Sequence, residues 1–123
     1  MATRRLLNYL RTYRKHSGLS QSEVSFLIQL KNKSELSRYE TNLRQPSLRI
    51  ALACQELYGV PVSDLFAGLS DLVARDTRKQ MKKLQTRLHE KSERESTGNK
   101  IMQKLRWIPH RLLEMPNFKL VSA

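Results

Sequence analysis

The stretch from Leu19 to Glu40 constrains the fold of this chain more than any other. Ser20 and Glu23 have the S-x-x-E spacing of a capping box, in which hydroxyl and carboxylate each satisfy an orphan amide of a helix's first turn. Asn32 and Glu35 repeat that spacing farther along and mark a second helix start. Val24, Ile28 and Leu30, then Leu36 and Tyr39, lay one apolar stripe along each helix. The second helix keeps a polar outer face of Lys33, Ser34, Ser37 and Arg38. A short helix pinned by its neighbour, with a cationic and hydroxylic free side, has the physical character of a recognition helix for the DNA major groove.

The flanking residues extend this unit. Residues 4 to 17 read as a first helix, with Leu6, Leu10 and Tyr13 at i, i+4 and i+7 and basic residues on the other faces. Gly18 supplies its left-handed stop, and Leu19 stands where a hydrophobic staple belongs. Helix two, Gln21 to Ile28, buries Val24 and Ile28, and Ser25 lets helix three approach closely. Phe26 and Leu27 make helix two apolar almost all round; burial against later helices is expected, with a subunit contact as the alternative. Helix three runs from Lys33 to Tyr39 or Glu40, and Asn42 to Pro46 form a turn. Ser47 caps helix four, Leu48 to Tyr58, which is expected to bury Leu48, Ala51, Leu52, Cys54 and Tyr58 and to end at Gly59. Val60 to Val62 is extended, and Ser63 caps a short fifth helix through Phe66. The expected class is therefore all-α.

After Leu69 the composition changes. Residues 69–95 read as a charged helix whose stripe of Ala74, Thr77, Met81, Leu84 and Leu88 lasts barely two heptads. It suits either a solvated basic helix or a dimerising one. Ser92 to Asn99 reads as a linker. The tail from Ile101 holds Trp107 and several leucines, but Pro109 and Pro116 limit it to one or two broken turns. The expected organisation is a folded domain over 1–68, the helix over 69–95, and a linker and tail over 96–123 that is partly disordered, docked or dimer-forming.

The 123 residues leave room for one domain and an appendage. Lys and Arg number 23 against 11 Asp and Glu, a net charge of +12, which favours a polyanionic partner, nucleic acid before an acidic membrane surface. A single cysteine, Cys54, excludes an intrachain disulfide and fits a reducing compartment. No apolar run approaches the roughly 18 residues of a membrane span, and no secretory signal opens the chain, so a soluble intracellular protein is expected. His16, His89 and His110 are far apart in sequence and lack companions at metal-ligand spacing. No catalytic set, cofactor motif or metal site is expected, and the chain does not read as an enzyme.

Leu10-Arg11, Gly18-Leu19-Ser20-Gln21, Glu23-Val24, Leu36-Ser37-Arg38-Tyr39-Glu40, Pro46-Ser47-Leu48, Gly59-Val60 and Leu65-Phe66 together resemble the Xre/Cro-type helix-turn-helix family of phage repressors and bacterial regulators. The resemblance covers residues 5 to 68. It implies a five-helix lambda repressor-like domain binding double-stranded DNA, in the cytoplasm of a bacterium or phage host, associated with the nucleoid. It also implies that Lys33, Ser34, Ser37 and Arg38 face base edges, with Arg38 forking onto guanine O6 and N7. Gln21, Asn32, Arg44, Arg14 and Lys15 would meet the DNA backbone. The family usually has glycine where Gln29 stands, and the connection to helix three looks one residue longer, which would tilt or shift that helix.

The leading expectation is a sequence-specific transcriptional regulator, a repressor acting as a homodimer. An antitoxin whose tail neutralises a toxin, or a nonspecific nucleic-acid-binding protein driven by the basic region from Arg75 to Arg94, are the alternatives.

Overall fold

The computed structural model describes residues 5–94 and 98–115. The described residues form seven helices and no strand: α1 (Leu10–Ser17), α2 (Gln21–Leu27), α3 (Lys33–Glu40), α4 (Leu48–Tyr58), α5 (Val62–Leu65), α6 (Ala67–Arg94) and α7 (Asn99–Glu114). The chain divides into two units between Ser70 and Asp71.

The first unit is built on a core of Leu10, Val24, Ile28, Leu36, Tyr39, Ala51, Cys54, Leu65 and Phe66. Its helix ends follow local chemistry closely. Ser20 Oγ accepts from Glu23 N–H at 3.0 Å while Glu23 Oε1 accepts from Ser20 N–H at 2.9 Å, completing the capping box. Asn32 Oδ1 accepts from Glu35 N–H at 3.1 Å, and Ser47 Oγ from Ile50 N–H at 3.3 Å. Gly18 and Gly59 close α1 and α4 in the left-handed region.

Four sequence expectations are corrected in this unit. Helix one does not begin at residue 4: residues 5–9 are non-helical, and Leu6 is 55% exposed. Distant partners hold their backbone: Tyr9 N–H donates to Leu65 O at 2.7 Å, and Leu6 O accepts from Gly68 N–H at 2.8 Å. Phe26 is 81% exposed and Leu27 51%, so neither is buried against later helices. Leu48 and Leu52 are exposed on α4, whereas Ala51 and Cys54 are buried as expected and Tyr58 is half-buried. Val62 already belongs to α5; Ser63 lies inside that helix, and the Val62 amide is capped by Gln55 Oε1 at 2.9 Å.

The second unit is a helical pair. Leu88 of α6 and Ile108 and Leu112 of α7 are buried together, with Met81, Leu105 and Met115 packed around them. Arg78 Nη1 donates to Leu112 O at 2.8 Å. The stripe expected on α6 is thus only partly used: Met81 and Leu88 pack, whereas Leu84 and Thr77 stay exposed. The supposed linker is helical to Arg94 and again from Asn99, with residues 95–97 outside the described residues. The tail is a 16-residue helix with Pro109 inside it rather than broken turns. Proline there removes one backbone bond at a cost of about 3 kcal/mol, and burial of Ile108 and Leu112 on one face of α7 against Leu88 of α6, at about 1.5–3 kcal/mol each, offsets it. Pro116 lies outside the described residues.

Candidate nucleic-acid interface

The turn between α2 and α3 sets how the third helix is presented. Ile28 caps the C-terminus of α2, Gln29 takes φ +62°, Gln29 N–H donates to Phe26 O at 3.3 Å, and Leu30 N–H to Ser25 O at 2.8 Å. That pair of bonds is a Schellman closure, and Gln29 occupies its left-handed position. Leu30, the next residue, packs against the core and so anchors the turn. Buried Ser25 lies beneath the closure.

A second Schellman closure ends α3. Asn42 takes φ +63°, its N–H donates to Tyr39 O at 3.2 Å, and Leu43 N–H donates to Arg38 O at 2.9 Å. Buried Asn8 fastens this end, its Nδ2 donating to Tyr39 O at 2.9 Å and to Asn42 Oδ1 at 2.7 Å.

Between these closures, α3 turns Leu36, Tyr39 and Glu40 inward. At 3.6 residues per turn, Ser34 and Arg38 lie opposite Leu36, with Ser37 and Thr41 flanking them. Lys33, Ser34, Arg38 and Thr41 are exposed and Ser37 is half-buried. Neither Lys33 nor Arg38 forms an ion pair among the described residues, so Arg38 carries unpaired charge on that face and Lys33 carries it at the exposed first turn, about 60° round from Leu36. Arg38 pairs with neither Glu35 nor Glu40.

Glu40 has a different partner. Arg14 Nε donates to its Oε2 at 2.7 Å, Arg14 Nη2 to its Oε1 at 3.1 Å, and Gln21 Nε2 to the same Oε1 at 3.1 Å. The Glu40 side chain is 2% exposed. The bonded carboxylate raises the Arg14 pKa. One buried acid therefore joins α1, α2 and α3 and fixes their mutual angles. The expectation of a backbone contact from Arg14 meets this geometry: its guanidinium is committed inside the domain, donating also to Leu19 O at 3.3 Å. The Gln21 side-chain donor is likewise committed, so what α2 offers outward is its first-turn backbone. Asn32 caps α3 as expected, and Lys15 and Arg44 are exposed.

The junction had a sequence signal that went unused. Leu36, Tyr39 and Glu40 stand at i, i+3 and i+4, so an acid on the buried stripe demanded a cation, and Arg14 sits one turn after Leu10 on helix one's own stripe. Around the junction, burial pushes the Cys54 thiol up to about 11 and the Tyr58 hydroxyl up to about 12. A thiol so disfavoured as thiolate is a core residue, not a nucleophile.

Residues 10–65 match the family model described as Helix-turn-helix. Over these residues the chain is similar to the Xre/lambda repressor-like helix-turn-helix family. The family is one of DNA-binding transcription regulators, and the matched segment runs from the first residue of α1 to the last of α5. The rest of the chain lies outside the match. No curated protein matches the chain. No helix among the described residues is long and apolar enough to cross a membrane.

Proposed function

We propose that the chain is a sequence-specific DNA-binding regulator, a repressor that reads the major groove with the outer face of α3. What supports this reading above all is that Ser34 and Arg38 stand opposite Leu36, exposed and without an acidic partner, on a helix fixed at both ends. Lys33, Ser34, Ser37 and Arg38 then face base edges, and the Arg38 fork matches guanine O6 and N7. Lys15, Arg44, the Asn32 cap region and the open amides at Gln21 lie against phosphates, where a helix N-terminus favours negative charge. Arg14 acts one step removed, holding α1 and α3 together through Glu40.

A homodimer on a two-fold site accompanies this reading. Leu43, Leu48 and Leu52, 81%, 72% and 45% exposed, are the apolar side chains that such a contact would cover. Selection of bound duplexes from a random pool with the full chain tests the proposal. It should enrich one motif whose half-site centres lie ~34–36 Å apart. Recovery of unenriched sequence would refute it.

A further inference from the structure

The exposed face of α6 is the largest cationic feature that the helix-turn-helix domain does not use. Residues 71–123 carry 13 Lys and Arg against 6 Asp and Glu, a net +7, whereas residues 1–70 carry 10 against 5, a net +5. On α6 this charge is organised. Lys79, Lys83 and Arg87 follow one another at i, i+4 and i+8, with Lys82 beside them, and all four are exposed. At 100° per residue they lie away from Met81 and Leu88, the side chains that α6 packs against α7. Asp76 and Glu90 stand at the two ends of the stripe, and among the described residues neither forms an ion pair with it.

We infer that this face is a second, sequence-independent binding surface for the phosphates of duplex DNA. The inference rests on the reading that the chain binds duplex DNA, and adds a site outside the matched domain. From Lys79 to Arg87 the helix advances ~12 Å, a length over which duplex DNA presents about seven backbone charges. Four mobile cations on one such stretch neutralise phosphates without reading bases. A membrane surface is the poorer partner, because an interfacial helix must bury its own apolar face in lipid, and beside the cationic stripe Met81 and Leu88 are packed on α7, which leaves Leu84 as the one large apolar side chain exposed between Lys79 and Arg87. Single-stranded nucleic acid is poorer too. Its binding relies on aromatic stacking platforms, and α6 contains no Phe, Tyr or Trp.

The test uses the full chain and a triple variant, Lys79→Gln/Lys83→Gln/Arg87→Gln. Glutamine keeps the helix propensity of lysine and arginine, and circular dichroism verifies that the helix persists. A charge-matched variant, Lys100→Gln/Lys104→Gln/Arg106→Gln, removes three cations from α7 instead. Affinity for a random-sequence duplex and for the selected site is measured across a salt series. The α6 variant should lower the slope of log K against log salt by about 2–3 on both duplexes, at roughly 0.9 per lost phosphate contact. The ratio between the two duplexes should stay unchanged, and the α7 variant should leave the slope in place. An unchanged slope in the α6 variant overturns the inference, and so does an equal fall in the α7 variant. A loss confined to single-stranded RNA, or to vesicles of anionic lipid, overturns it as well. Failure of the α3 reading is separately visible, as a wild-type chain that binds both duplexes equally while the α6 variant still flattens the slope.

Discussion

Replacing Arg14 by methionine should destabilise the helix-turn-helix unit far more than an exposed arginine would. The Glu40 side chain is 2% exposed, and of the three bonds its carboxylate receives, two come from Arg14. Arg14→Met leaves that charge with Gln21 alone, and breaking one side of a buried pair costs about 3–5 kcal/mol. Small domains have only about 5–15 kcal/mol in total. At about 4–8 °C per kcal/mol, the midpoint should fall by about 12–24 °C even at the low end of that range. Arg14→Met/Glu40→Leu removes both charges, and the double variant should recover most of the loss, giving a coupling of at least about 2 kcal/mol in the double-mutant cycle. Tyr9, Tyr13, Tyr39 and Tyr58 all lie in the first unit and Trp107 in the second, so tyrosine near-ultraviolet dichroism and selectively excited tryptophan emission report the two units separately. The reasoning fails if Arg14→Met melts within a degree or two of the parent, or if the double variant is as unstable as the sum of the singles.

Three further outcomes follow from the same geometry. Gly68→Ala, in a helix where alanine ordinarily gains stability, should instead cost about 2–3 kcal/mol, since a Cβ there would stand 2.5 Å from Leu6 O and 2.7 Å from Arg5 O, both backbone atoms; a rise in denaturation midpoint would contradict this. Gln29→Gly should stabilise by about 0.5–1 kcal/mol by relieving the left-handed backbone at φ +62°, read as a higher urea midpoint with unchanged slope; a lower midpoint would place the decisive interaction in the Gln29 side chain. Cys54 stays protonated to about pH 11 when folded but ionises near 9 when unfolded, so its contribution is intact below pH 9 and declines above it, by about 2–3 kcal/mol at pH 11. Tyr58, raised to about 12, acts in the same direction from pH 10 upward; Cys54→Ala should therefore flatten the alkaline fall in stability, and an unaltered fall would refute the assignment.

What was legible in the sequence was local. The Ser20–Glu23 box, the Asn32 and Ser47 caps and the glycine stops at 18 and 59 each need only a few neighbouring residues, and α2, α3 and α4 lie where those signals put them. The failures share a cause in long-range contacts. Residues 5–9 have helical periodicity, yet their backbone is held by Leu65 and Gly68, some sixty residues away. Leu48 and Leu52 have core spacing, but of the expected core set α4 fully buries only Ala51 and Cys54, a choice made by the helices it meets. Pro109 argues against a helix until the face of Ile108 and Leu112 is given α6 to pack on. At the candidate interface, the outward placement of Ser34 and Arg38 followed from the position of Leu36 alone, whereas Lys33 is exposed because it opens the helix. The inward commitment of Arg14 required knowing that helices one and three meet.

Guanine-N7 methylation interference on the selected site, performed with the wild-type chain and with Arg38→Ala, tests the role of α3 most directly. The account predicts that methylation of one guanine in each half-site blocks the wild type. The variant, weakened by about 1–3 kcal/mol, should be indifferent to that same methyl group. An identical interference pattern for both proteins would contradict it.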